Sequence, residues 1–338
     1  MTKYIKNSLI ITVLFFIFSV IFLVVFFNKT SRDSLVEQVQ HRQQLSVRVG
    51  SRLIESFVNS VGKSLLIMST NPSQDNLDHF METYSSLGIS GITLLDKNGT
   101  VIKASNTIDV LDLGQDLSDR DYFRWAKETQ DGEFKAFAPI ISRRGPSKDI
   151  YIIPVAVSTF SEDKKFNGVL VTAIPLSDLA RDYLENLKIL DTSKVYLVTS
   201  KGEIIYADYP DLTGKYVKDI FVSDFLGKSK VLEILFDCLG KDEESKLNLA
   251  IPSFENNFKL EPYLISSSPI HISDQLWKVV VVTPEKSLLV FTYKIFNSQI
   301  LALFIIFVVF IFLTLRISKN SGYQEAVVDE HQKHNINS

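Results

Sequence analysis

The sequence of 338 residues contains a single cysteine, Cys238, and only five histidines. One cysteine cannot form an intrachain disulfide, and metal sites built from several cysteines are excluded. The only closely spaced histidines, His331 and His334, stand in a polar tail that offers no further ligands for zinc. We therefore expect neither a metal nor another cofactor.

A strong charge imbalance and catalytic motifs are also missing. The net charge is -3, from 36 Lys and Arg against 39 Asp and Glu, and no basic block occurs, so nucleic-acid binding is not supported. The strings typical of serine hydrolases, P-loop proteins and zinc proteases do not occur either. The sequence predicts a protein that is not an enzyme, with no catalytic residues.

Two long apolar runs, residues 9–27 and 295–315, contain no charged residue. Each matches the roughly 20 residues that a helix needs to cross a ~30 Å hydrocarbon core. We predict two transmembrane helices. The first is expected to be an uncleaved anchor, because no small-x-small cleavage site follows it.

Basic residues flank these runs on the sides away from the central region. They are Lys3, Lys6, Arg316 and Lys319. This bias favours cytoplasmic tails, residues 1–8 and 316–338. The predicted location is a bacterial inner (plasma) membrane, with the central region outside the cytoplasm.

Residues 30–70 have the pattern of one long helix. Leu53, Phe57, Val61 and Leu65 recur at every fourth position and form an apolar stripe. Asn71-Pro72 ends the pattern, since proline cannot continue helical hydrogen bonding. About 40 residues at 1.5 Å each would reach roughly 60 Å, enough to run along two stacked modules.

A hairpin pattern occurs twice in the central region. Residues 92–104 read as strand, turn and strand, and Asn98-Gly99 at the turn tolerates positive φ. Residues 195–207 repeat this arrangement, with Gly202 in the position of Gly99. The matched hairpins predict an internal repeat.

A later pattern occurs twice as well. Residues 167–179 and 277–289 each form a β-rich run that meets a proline and then leucines. The order of hairpin, middle section and closing strand predicts two α+β modules in series, residues 71–185 and 186–292.

The segment Asp116-Leu-Ser-Asp-Arg-Asp-Tyr-Phe123 is similar to the D-x-S-x-R-x-Y-F segment of double Cache sensor domains. Residues 136–142, 150–156 and 168–174 look like the strands that follow it in that family. The chain from about 30 to 315 thus resembles the sensor domains of bacterial chemoreceptors, histidine kinases and diguanylate cyclases. The resemblance implies an α+β fold with two tandem PAS-like (Cache) modules on a long N-terminal helix, flanked by two transmembrane helices.

The resemblance also implies a ligand site in the first, membrane-distal module. Its matching positions are Arg120, Tyr122, Phe123, Ser142 and Ala173. An arginine there suits a carboxylate or phosphate, which favours an anionic ligand. The alternatives are a surface pair of Arg120 with a neighbouring aspartate and a place in the module core for Tyr122 and Phe123.

The chain departs from the pattern of family members that bind amino acids. Where those members carry an aromatic residue and two aspartates on later strands, this chain has Ile140, Ser142 and Ala173. An α-amino acid ligand is therefore not expected. Arg143 and Arg144 adjoin Gly145-Pro146, a pattern typical of an exposed turn; the alternative is that they close over an anionic ligand.

The function that the resemblance implies is extracytoplasmic sensing of a small molecule. The signal would pass through the second transmembrane helix to an output domain not present in this chain. The expected partners are the ligand, the membrane, a second copy of the chain and a separate cytoplasmic signalling protein, but no nucleic acid. The alternative is a membrane-anchored protein-interaction or assembly module without a small ligand.

Overall fold

The computed structural model describes residues 3–110, 112–129, 132–222, 229–252, 259–288, 301–313 and 316. The chain divides into two compact units, Met1–Gln38 with Lys286–Ser338, and Val39–Glu285. The described strands all belong to the second unit.

The prediction of two transmembrane helices is not supported by the structure. In the part of the chain that the structure describes, no helix combines the length and the apolar character needed to cross a membrane. The spans 9–27 and 295–315, and with them the inner-membrane location with cytoplasmic tails, are therefore wrong. The first run opens a longer helix of 67 residues, α1 (Lys3–Ser69), which continues into charged sequence. In the second run the described helix, 301–313, would span about 20 Å.

Part of the second apolar run and nearly all of the predicted tail 316–338 lie outside the described residues.

The predicted long helix over 30–70 is confirmed, since α1 extends to Ser69 and stops just before Asn71-Pro72. The other helices are shorter: α2 (Gln74–Tyr84), α3 (Asp121–Glu128), α4 (Leu176–Leu179), α5 (Val217–Val222) and α6 (Ser229–Gly240).

The first sheet contains six strands: β1 (Gly91–Asp96), β2 (Val101–Asn106), β3 (Phe134–Ala136), β4 (Ile140–Ile141), β5 (Tyr151–Phe160) and β6 (Phe166–Pro175). Its order is β2-β1-β6-β5-β3, with β4 beside β5. Every pair is antiparallel.

The second sheet contains five strands: β7 (Lys194–Thr199), β8 (Ile204–Ala207), β9 (Ser245–Pro252), β10 (Leu260–Ile272) and β11 (Gln275–Pro284). Its order is β8-β7-β11-β10-β9, again antiparallel throughout. The α+β prediction is confirmed, whereas the module boundaries 71–185 and 186–292 stay a prediction.

The two hairpins turn at the glycines that the sequence indicates. Gly99 and Gly202 have φ of +93° and +82°, a region that residues with a Cβ rarely adopt. In the first hairpin the Asp96 carboxylate also accepts hydrogen bonds from the backbone N–H groups of Asn98 and Thr100, at 2.9 and 2.8 Å. This local bonding fixes the turn that pairs β1 with β2.

One helix covers a face of both sheets. The central cluster joins α1 to the two sheets through Val47, Ile54, Val58, Val61, Leu65, Ile92, Val155, Leu170, Leu197, Val279 and Val281. Leu53, which the predicted stripe includes, is 51% exposed, and Ile54 takes its place in the core. Because side chains alternate along a strand, the other face of each sheet remains available for different contacts.

We predict that Gly62→Ala destabilises the protein. A Cβ at Gly62 would overlap the Phe134 ring, because α1 approaches β3 closely there. Overpacking of this kind costs about 1–3 kcal/mol, which exceeds the gain of up to ~1 kcal/mol in helix propensity. Urea unfolding should show a lower midpoint. Gly240→Ala is the matched control, since no atom lies within 4 Å of its Cβ position. A Gly62→Ala variant as stable as this control would contradict the packing.

A second prediction concerns His271, where β10 meets α1. Its Nε2 lies 2.8 Å from an oxygen of Asp242, and its backbone N–H donates to Glu55 at 3.1 Å. The hydrogen bond with Asp242 raises the pKa of His271. A raised pKa in the folded state stabilises the protein fully below the unfolded value of about 6.5, and this contribution disappears as pH rises through the folded value.

The urea midpoint should therefore fall between pH 5.5 and pH 8.5 by more in the natural protein than in His271→Gln. Asp242→Asn should reduce the pH dependence in the same way, because it removes the main cause of the shift. Equal slopes in all three proteins would show that this contact contributes nothing.

Candidate functional site

A pocket lies on the side of the first sheet that faces α3. We call it the first-sheet pocket. Its volume is about 580 Å³, counted to its opening, and it is lined by β1, β2, β5, β6, the start of α3 and the turn 142–147. Its walls combine apolar side chains such as Val171 and Ile152 with hydroxyl groups such as Thr93 and Thr172.

The segment before α3 is held in place by the first hairpin. The Leu117 N–H donates to the Gly99 carbonyl at 2.9 Å, and Asp116 accepts from the Ser118 N–H at 2.8 Å. That backbone hydrogen bond lowers the pKa of Asp116. Arg120 then caps α3 in an extended conformation and points its guanidinium towards β4, where it donates to the Ile141 carbonyl at 3.2 Å.

Tyr122 forms part of the pocket wall and is almost fully buried. Its ring packs edge-on against Phe137, with centroids 6.2 Å apart. Burial raises the pKa of Tyr122 to about 12, so its hydroxyl stays neutral. A neutral phenol can donate a hydrogen bond to an anion in the pocket.

Two further arginines line the pocket from the turn that follows β4. Arg143 forms a two-point ion pair with Asp119, at 3.0 and 2.8 Å, and its hydrogen bond lowers the pKa of Asp119. Arg144 is half-buried, and burial lowers its pKa. Asp112 accepts from the Gly145 N–H at 3.0 Å and so anchors this turn.

The charges around the pocket are unequal. Three guanidinium groups line it, and no aspartate or glutamate stands among the described residues of its wall. Asp119 pairs with Arg143 and also interacts with Arg120, and Asp112 interacts with Arg144, so these acidic groups stand outside the lining residues while the guanidinium groups belong to them. The pocket therefore suits an anionic group better than a cationic one.

Four of the five candidate residues from the sequence come together here: Arg120, Tyr122, Ser142 and Ala173 all line the pocket. Phe123 is not among the lining residues. It is 2% exposed and packs in the core beneath α3, edge-on to Phe166 at 6.1 Å. Contact of these residues with a ligand stays a prediction.

Ser142 and Ala173 shape the pocket and bring no charge to it. The Ser142 hydroxyl donates to the Arg144 carbonyl at 3.0 Å and thereby holds the turn. Ala173 pairs with Gly91 on one side and Pro154 on the other, at the centre of the sheet. A small side chain at Ala173 keeps the pocket floor open.

The sequence favours an exposed turn for Arg144, with closure over an anionic ligand as the alternative. A turn is present and closes on itself through a bridge between Ser142 and Lys148, while the Ser147 hydroxyl donates to the Ser90 hydroxyl at 2.6 Å and so ties the turn to the start of β1. This long-range placement brings Arg144 into the pocket wall. No local pattern in the sequence could have indicated it.

Metal binding has no candidate among the residues described, since they contain no group of three or more His, Cys, Asp or Glu side chains that could hold an ion. The chemistry of the first-sheet pocket is thus that of hydrogen bonds, guanidinium groups and apolar walls.

Comparison with known proteins agrees with this architecture. The periplasmic sensory domain of the Campylobacter jejuni chemoreceptor Tlp1 is 15% identical, with a TM-score of 0.51, over 77% of this chain and 96% of that one. The ligand-binding domain of the Pseudomonas fluorescens chemoreceptor CtaA, solved with L-isoleucine, is 15% identical, with a TM-score of 0.51, over 79% and 99%. At these identities the likeness concerns the fold.

A third similar structure is an extracellular ligand binding receptor from Desulfohalobium retbaense, 12% identical with a TM-score of 0.48. The match covers 74% of this chain but only 39% of that receptor. No curated protein matches the sequence. The sequence model of the Cache domain, of the double Cache type, matches residues 31–290. Because this match covers most of the sequence, the chain belongs to the double Cache family of sensor domains.

Proposed function

We propose that this protein senses a small anionic molecule, which binds in the first-sheet pocket. The observation that carries the proposal is the pocket wall itself, with three arginines and no acidic residue among those described. Membership of a sensor family supports the same function.

The arginines differ in what they can offer a ligand. Arg120 presents its planar fork from the start of α3, where a carboxylate or phosphate could accept two parallel hydrogen bonds. Arg144 is partly buried, so its charge is less screened by water and attracts an anion more strongly. Arg143 is held by Asp119 and serves chiefly to position the turn.

The ligand we infer lacks an ammonium group. A buried ammonium needs an acidic partner or several hydrogen-bond acceptors. The described wall offers no carboxylate. The sequence resemblance implies that Ile140, Ser142 and Ala173 match the positions of an aromatic residue and two aspartates in family members that bind amino acids. CtaA was solved with L-isoleucine, but at 15% identity this supports a ligand site in the fold and not the same ligand.

Binding would act through the first sheet on α1. The first-sheet pocket and the central cluster share the strands β1, β5 and β6, so a shift of these strands would change the packing against the helix. The extent of such a change is limited by the ligand's difference in affinity between the two arrangements. A homodimer, predicted from the sequence, remains the expected form.

The test uses matched pairs of acids with and without an ammonium group. Succinate with aspartate, and lactate with alanine, are added to the protein, and thermal unfolding is followed. The unaminated acid of at least one pair should raise the midpoint, whereas its amino counterpart should not. If the amino acids stabilise the protein more than their partners, the proposed ligand class is wrong.

The stabilising acid should bind Arg120→Ala and Arg144→Ala roughly 10- to 100-fold more weakly in isothermal titration, because each substitution removes a charged hydrogen-bond donor. Arg120→Lys should restore only part of the affinity, since lysine lacks the planar fork. Arg124→Ala is the matched control: Arg124 lies on the same helix but pairs with Asp121 at the surface. If Arg144→Ala binds the acid with the same affinity as the control Arg124→Ala, Arg144 does not contact the ligand.

A further inference from the structure

A second cavity lies on the corresponding side of the second sheet, the side that faces α5 and α6. We call it the second-sheet pocket. Its volume is about 830 Å³, counted to its opening. The sheet contributes Val198, Ile204, Ile251, Ile265, Val280 and Val282, and the helices cover them from the other side.

The two pockets occupy equivalent places in the repeated fold. The two sheets have the same strand order, so β1, β2, β5 and β6 of the first sheet correspond to β7, β8, β10 and β11 of the second, respectively. Each pocket is lined by those four strands, on the side away from the central cluster. The second cavity is thus the counterpart of the first, and not an isolated packing gap.

The chemistry of the second-sheet pocket is different. It has no arginine among its described lining residues, and its single charged residue is Lys194. The Lys194 Nζ lies over the Tyr209 ring, 5.0 Å from its centroid, and both side chains are half-buried at the edge of the cavity. Apart from Thr192 and three tyrosines, the remaining described wall is apolar.

Protein interiors are normally close-packed, and apolar cavities do not hold water well. An apolar cavity with one cation at its edge therefore matches an amphipathic guest. The chain of the guest would fill the cavity, and its anionic end would meet the Lys194 ammonium. The Lys194 ammonium lies over the Tyr209 ring, and this cation–π contact would keep the ammonium at the entrance of the cavity.

We propose that the second-sheet pocket binds a medium-chain aliphatic carboxylate, with its hydrocarbon chain among the apolar residues and its carboxylate at Lys194. This site is separate from the first-sheet pocket, and it takes a ligand of a different kind. The same chain would then respond to a compact polar anion through one sheet and to an apolar acid through the other.

The test is isothermal titration of the full chain with octanoate, butanoate and octan-1-ol. Octanoate should bind saturably, and butanoate should bind roughly 250-fold more weakly, since each of the four additional buried methylenes strengthens binding about fourfold. Lys194→Gln should weaken octanoate binding about tenfold or more and leave octan-1-ol binding within twofold. Non-saturable octanoate uptake, or equal losses for acid and alcohol, would overturn the proposal.

Two further variants locate the octanoate. Val280→Phe places a larger side chain in the cavity and should abolish octanoate binding, with folding checked by circular dichroism. Arg144→Ala alters the first-sheet pocket and should leave the octanoate affinity within twofold. Loss of octanoate binding in Arg144→Ala, but not in Lys194→Gln, would assign the acid to the first-sheet pocket and refute a second site. Neither result would decide whether the first-sheet pocket binds its own anion.

Discussion

The packing of α1 against both sheets is the constraint on which the rest of the described structure depends. Its buried side chains, from Val47 to Leu65, form one continuous cluster with strands from each half of the repeat. Polar contacts add to the apolar ones: the Gln43 amide donates to the carbonyls of Leu264 and Val281, and Ser51 lies 2.7 Å from Ser268. A single helix therefore links two sheets that share no strand.

This constraint also explains where the pockets lie. A strand buries alternate side chains on opposite faces, and α1 occupies one face of each sheet. The other faces are covered by short helices and turns, which close less tightly than a long helix and leave room for ligands. The repeated fold thus carries two pockets at equivalent places, one lined by three arginines and the other mainly apolar.

Much of the fold could be predicted from local sequence signals, because turns and helix ends depend on few residues. Asn98-Gly99 and Gly202 located the hairpins, and Asn71-Pro72 located the end of α1. The spans were predicted wrongly: the first apolar run is the start of the 67-residue α1, and the described helix in the second run covers only 301–313. The sequence left open whether Phe123 and Arg144 face the pocket, because the side of α3 and the fold of the turn after β4 are set by tertiary contacts.

The central claim is that the first-sheet pocket recognises an anion through Arg120 and Arg144. The most direct measurement is a crystal structure of the protein grown with the carboxylate that stabilises it most. The account predicts the carboxylate within hydrogen-bond distance of both guanidinium groups and beside the Tyr122 ring. A carboxylate bound elsewhere, with the pocket unchanged, would contradict it.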